Sequence, residues 1–204
     1  VTLCLVTDRR VRPVVEQCGE AVRAGVDMIQ VRERDLDGRS LASLVAELVR
    51  LTRGTATRVV VNDRLDVALA SGAHGVHLRG DSIPPGSARS IAPPGFLIGR
   101  SVHHVEEART VAPDVDYLVA GTVFPTSSKA DLTEWLGVEG LARICGSVSV
   151  PVLAIGGMTP DRLADVATSG AAGVAAIGLF ASETRSLADI VVDARTAWAR
   201  RYSV

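Results

Sequence analysis

The feature that most constrains this chain is a recurrence. Short apolar runs, each closing on polar or glycine residues, alternate with helix-like stretches from one end to the other. The runs are Leu3–Asp8, Met28–Glu33, Arg58–Asp63, Gly75–Leu78, Phe96–Val102, Asp116–Val123, Val152–Ile155 and Gly173–Leu179. They are too short for free-standing helices and fit buried strands. Helical stretches follow at Pro13–Ala24, Ser40–Arg53, Leu65–Ser71, Gly86–Ile91, Glu106–Ala112, Val138–Cys145, from Thr159 to Ser169, and at Leu187–Arg201. Units of roughly 25 residues, repeated along 204, match a compact (β/α)8 (TIM) barrel. Strands covered by helices outside and packed inside should be apolar throughout, as these are. An open doubly wound sheet is the competing architecture. Against it, no G-x-G-x-x-G follows the first run, and polar residues gather at many strand ends. The expectation is one barrel domain over residues 1–204.

Charge and composition narrow the function classes. A formal net charge of −1, with no basic run and few aromatic residues, argues against nucleic acid. No stretch approaches a membrane span, and the chain opens directly on strand-like Leu3–Val6, so neither a membrane nor a signal peptide is expected. Cys4, Cys18 and Cys145 are odd in number and set in apolar surroundings, which suits buried thiols of a cytoplasmic protein. The sequence leaves the oligomeric state open, a homo-oligomer included.

In a barrel the chemistry gathers at the C-terminal strand ends. The seventh unit, PVLAIGGMTP, joins a strand to Gly156-Gly157 and a Thr159-Pro160 helix start. Paired glycines admit a ligand close to the backbone, and a helix N-terminus offers N–H groups to an anion such as phosphate. A tight turn with nothing bound is the plainer alternative. Ile177-Gly178 ends the eighth strand, a second place of close approach, and phosphate sites recur after these two strands. Alternation along the second strand puts Gln30, Arg32 and Arg34 on one face. Two guanidiniums there suit a phosphate or carboxylate, unless they pair with Asp63 or Asp8. Asn62-Asp63 could hold a metal, orient a ligand or cap a helix. On the fifth strand Gly99, Ser101 and His103 share a face, and the small residues should leave room beneath His103. His103 is the candidate catalytic acid–base, because an imidazole can both take and return a proton near neutral pH. His77 reads as a hydrogen-bonded barrel residue, and His74 and His104 as surface positions. Thr126, Ser128 and Lys129 begin a long polar loop to Leu136, suited to an oxyanion and to a lid.

These motifs, Gln30-x-Arg32-x-Arg34, Asn62-Asp63, Gly75-Val76-His77-Leu78, Val123-Phe124-Pro125-Thr126-x-Ser128-Lys129 and Ile155-Gly156-Gly157, stand in an order that resembles the thiamin phosphate synthase superfamily over essentially the whole chain. That superfamily holds the synthase and its paralogue, thiazole tautomerase. The resemblance implies a barrel that binds a small phosphorylated thiazole. The synthase joins a pyrimidine diphosphate to a thiazole phosphate, using magnesium. It would imply phosphate contacts from Gln30, Arg32, Arg34, Thr126, Ser128 and Lys129, and a metal aspartate at Asp63. Its second metal aspartate falls at Ser82, with Asp81 one residue short. The tautomerase has a serine there too. It also shares Gly99-Arg100-Ser101-Val102-His103 and IGGMTPDRLADV. That branch implies an isomerase without a cofactor, aromatising a thiazole carboxylate phosphate through His103. Gly156, Gly157, Ile177 and Gly178 would hold the phosphate.

Overall fold

The computed structural model describes residues 1–126, 134–182 and 184–200. The strands are β1 (Thr2–Val6), β2 (Met28–Val31), β3 (Arg58–Asn62), β4 (Gly75–Leu78), β5 (Leu97–Val102), β6 (Tyr117–Gly121), β7 (Val152–Ile155) and β8 (Gly173–Ala176). The helices are α1 (Val14–Ala24), α2 (Gly38–Leu51), α3 (Leu65–Ala70), α4 (Pro85–Ile91), α5 (Val105–Val111), α6 (Gly137–Cys145), α7 (Leu163–Thr168) and α8 (Leu187–Arg200). Every strand pairs in parallel with its neighbours, and β1 also pairs with β8, closing a (β/α)8 barrel.

Strand alternation divides the apolar residues in two. On β1, Cys4 and Val6 point into the barrel with Met28, Val60, Tyr117, Val119, Leu153 and Ala175. Leu3 and Leu5 point outward and pack with the helices in a larger cluster. Both faces are dry, so the strands carry little alternation of polarity. The cysteines follow this division. Cys4 and Cys18 are buried, and burial raises each thiol pKa to about 12, whereas Cys145 is only half-buried.

Several boundaries differ from the sequence reading for local reasons. β2 stops at Val31, because the Arg32 N–H leaves the ladder for Thr7 Oγ1 at 3.0 Å. α2 starts at Gly38, because Asp37 caps it, accepting from the N–H groups of Arg39 and Ser40 at 2.9 Å each. After Gly156-Gly157, residues Pro160–Arg162 form a 3₁₀ turn ahead of the short α7. Thr159 has the extended backbone of a cap but makes no side-chain capping bond. The eighth strand also ends early, and Gly178–Ala181 is a 3₁₀ turn. The space expected beneath His103 is filled. A Cβ on Gly99 would lie 2.1 Å from Tyr117 Cζ, so glycine is what lets the Tyr117 ring fit inside the barrel.

Candidate active site at the barrel mouth

A cavity of about 450 Å³ opens at the C-terminal strand ends, enough for one small ring with its substituents. Gln30, Arg32, Arg34, Asn62, Ser101, His103, Thr126, Gly156, Gly157, Ile177 and Gly178 all line it. Ser128 and Lys129, and most of the loop read as a lid, lie outside the described residues. Asp63 does not line the cavity. His77 and Arg79 do, and neither was among the expected ligand contacts. The alternation rule used on the second strand would have found both, since they follow one another at i, i+2 on β4 and its exit.

One wall is basic. Arg32 is half-buried and Arg34 exposed, and neither forms an ion pair among the described residues. Asp8 is taken by Arg10 at 2.7 Å, so the expected alternative of pairing with Asp8 or Asp63 is not what the fold does. Burial, then the neighbouring charge of Arg34, pulls the Arg32 guanidinium below its ordinary pKa. An anion bound here would relieve both effects. The end of β2 is held by buried Glu33, which accepts from Thr7 Oγ1 at 2.6 Å and the Arg9 N–H at 3.0 Å. Deeper in the cavity, the Gln30 amide donates to Asn62 Oδ1 at 3.2 Å, across β2 and β3.

The opposite wall is backbone. Gly156 and Gly157 have φ of +102° and +64°. A Cβ on either would fall 2.4 Å from Thr122 Cγ2 or from the Pro125 carbonyl oxygen, respectively. Arg162 pins this turn, donating to the Gly157 carbonyl at 2.7 Å while its guanidinium lies 4.6 Å from the centre of the Phe124 ring. Gly178 faces open space. Small, backbone-lined and next to a 3₁₀ turn, this cup can accept a phosphate.

The four histidines sit in different settings. His103 stands at the cavity rim, its Nδ1 3.4 Å from Glu107 Oε2, and the same carboxylate accepts the His103 N–H at 2.8 Å. His77 is enclosed, sharing a 2.8 Å hydrogen bond with Ser101 Oγ. Burial, aided by the charge of Arg100, lowers its pKa to about 3, so it is neutral at ordinary pH. His104 caps α5, accepting from the Glu107 N–H at 3.3 Å. His74, expected at the surface, is half-buried, and its Nδ1 accepts from the Val59 N–H at 2.9 Å.

Asp63 is the position where the resemblance would put a magnesium ligand. It has a positive φ of 66°, accepts a hydrogen bond from Ser82 Oγ, and lies 3.6 Å from Arg79 Nη1. Among the described residues, no three His, Cys, Asp or Glu side chains come together as a metal set. Magnesium demands near-octahedral oxygen ligation, supplied by one or two carboxylates together with substrate phosphates and waters. Here Asp63 is bonded by Ser82, and the Arg79 guanidinium stands between it and Asp81, so the carboxylates at this end face a cation of the chain itself and the set does not fit the ion.

The fold and this mouth define a (β/α)8 barrel with a basic, glycine-lined cavity at the C-terminal strand ends. The comparisons go further: the thiamine monophosphate synthase family matches residues 3–180, and the chain belongs to that family. It is 43% identical over 182 residues to the thiamine-phosphate synthase of Methanoculleus marisnigri, covering 86% of each chain. It is also 43% identical over 183 residues to that of Archaeoglobus fulgidus, covering 89% of this chain and 86% of the relative. Among solved structures, the thiamine phosphate pyrophosphorylase of Pyrococcus furiosus superposes with a TM-score of 0.87 at 36% identity. That match covers 98% of this chain and 96% of the other. Among the described residues, no helix is long and apolar enough to cross a membrane.

Proposed function

We propose that this member of the family is an isomerase of the thiazole tautomerase kind, which aromatises a thiazole carboxylate phosphate by moving a proton. The observation that carries this reading is the environment of Asp63, where Ser82 bonds the carboxylate and Arg79 stands between it and Asp81. Pyrophosphate departs with a large charge, which a synthase ordinarily stabilises with metal. A proton transfer needs only a positioned acid–base group. His103 takes that role at the rim, removing a proton from one ring-adjacent carbon and returning one at another. Glu107 behind it steadies the imidazole. The glycine cup holds the phosphate, and Arg32 and Arg34 attract the carboxylate. No cofactor is required, and a cytoplasmic location goes with the buried thiols of Cys4 and Cys18.

A second reading, thiamin phosphate synthase, is favoured by the names of the relatives at 43% identity and by the synthase-like pair Gln30 and Asn62. One assay separates the two. The protein is given thiazole carboxylate phosphate in chelator, and separately pyrimidine diphosphate plus thiazole phosphate with magnesium. The expected result is isomerisation without metal and poor condensation. Magnesium-dependent condensation in the usual enzyme range of ~1–1000 per second would establish the second reading instead.

A further inference from the structure

The loop leaving β4 carries Arg79, Gly80, Asp81 and Ser82; the resemblance weighed Asp81 and Ser82 only as the place of a second metal aspartate, and Arg79 was not expected to meet a ligand. Its geometry is closely specified. The Arg79 N–H donates to Ser82 Oγ at 2.7 Å, and Ser82 Oγ in turn donates to Asp63. From below, buried Arg100 donates through Nη2 to the Gly80 carbonyl at 2.9 Å, while its Nε and Nη1 have no partner. The loop is thus tied to β3 and β5 together. The Arg79 guanidinium bonds Asp81 at 2.6 Å through Nη2 and lies 3.6 Å from Asp63 through Nη1. It is Arg79, and not Asp63, that lines the cavity.

We propose that Arg79 is a built-in cation of the mouth: it supplies to a bound anion the charge a divalent ion at Asp63 would supply, and Asp63 holds no metal. A guanidinium offers five N–H donors; Asp81 takes Nη2 and Asp63 faces Nη1 at 3.6 Å, which leaves donors on Nε and Nη1 for a ligand oxygen. Asp81 is 69% exposed, so water screens much of its countercharge. The described cavity lining holds Arg32, Arg34 and Arg79 and no carboxylate. A fixed guanidinium at 3.6 Å from Asp63 also repels a second cation from that carboxylate. The ligand class is a phosphate, pyrophosphate or carboxylate group gripped without metal. The inference rests on the mouth being an anion site, and not on which reaction follows there.

Inorganic pyrophosphate is the probe, titrated calorimetrically into the protein in chelator and again in magnesium, with allowance for the magnesium–pyrophosphate complex in solution. The expected result is binding in chelator that magnesium tightens by less than about threefold. Arg79→Gln should weaken it by about tenfold or more at an unchanged thermal midpoint. Manganese alone, without pyrophosphate, followed by water-proton relaxation, should show no protein-bound ion in the wild type, a readout independent of how any variant folds. In the double variant Arg79→Gly, Ser82→Asp, a bound ion should appear. Wild-type binding that requires the metal, protein-bound manganese in the wild type, an Arg79→Gln affinity within about twofold of wild type, or no pyrophosphate binding in either buffer would each overturn the proposal. Failure of the isomerase reading would show separately, in turnover, with these titrations unchanged.

Discussion

His77 Nε2 and Ser101 Oγ lie 2.8 Å apart, inside the barrel and below the rim that carries His103. This pair has a consequence for stability. The folded protein keeps His77 neutral down to about pH 3, whereas an unfolded histidine takes up its proton near 6.5. Between those values the unfolded state binds more protons, so stability rises with pH and is lost as pH falls. His74, also shifted down by burial, acts in the same direction. Denaturant titrations should show stability falling by up to about 1.4 kcal/mol per pH unit for His77 alone as pH drops below ~6. His77→Gln should flatten that slope, and an unchanged slope would refute the assignment.

Arg32 gives a prediction in which function and stability oppose each other. Its guanidinium is half-buried without an ion pair among the described residues, and burial lowers its pKa. A charge held this way burdens the fold and serves a ligand. Arg32→Met should leave the unliganded thermal midpoint equal to or above wild type. It should also weaken binding of phosphorylated, carboxylated thiazole by about tenfold or more. A destabilised variant with intact affinity would show that Arg32 is structural.

Much of this was legible in the sequence, because parallel strands dry on both faces announce themselves as short apolar runs, and eight such runs fix the barrel. The mouth residues on β2 and β5 followed from alternation alone, since Gln30, Arg32, Ser101 and His103 keep strand parity out to the rim. What alternation could not supply was the partner of each charge. Asp63 adopts a positive φ as the chain leaves β3, and that turn, invisible in composition, delivers its carboxylate to Ser82 and Arg79. The space beneath His103 was misjudged for a related reason. Gly99 is small because the Tyr117 ring, from the neighbouring strand, occupies the room its side chain would need.

At the glycine cup, Gly157→Ala should damage binding of thiazole phosphate far more than of the unphosphorylated thiazole. The φ of +64° and a Cβ 2.4 Å from the Pro125 carbonyl force the turn to move, and the phosphate is what the turn would hold. Arg162→Ala should give a milder form of the same defect, because it frees the Gly157 carbonyl without a clash. Calorimetric affinities for the two ligands decide it. Equal weakening of both would count against a phosphate site.

His103 stands at the cavity rim, apart from the anion-binding groups. If it moves the proton, His103→Ala should leave ligand affinity nearly intact, because the glycine cup and the basic wall lie on other strands. Loss of a positioned acid–base group costs ~100- to 10,000-fold in rate, about 3–5 kcal/mol of barrier. His103→Asn keeps a similar shape but cannot relay a proton, so it should be almost as slow as alanine. Glu107→Gln should be intermediate. It keeps an acceptor for the His103 N–H, bonded at 2.8 Å, but removes the charge beside Nδ1 at 3.4 Å. His104→Ala is the contrast. Its ring caps α5 and does not line the cavity, so it should cost about 1 kcal/mol of stability and leave the rate within a few-fold. Single-turnover rates at saturating thiazole carboxylate phosphate separate these variants. An active His103→Asn would mean that the ring only shapes the rim, and that the proton is carried by another group lining the cavity.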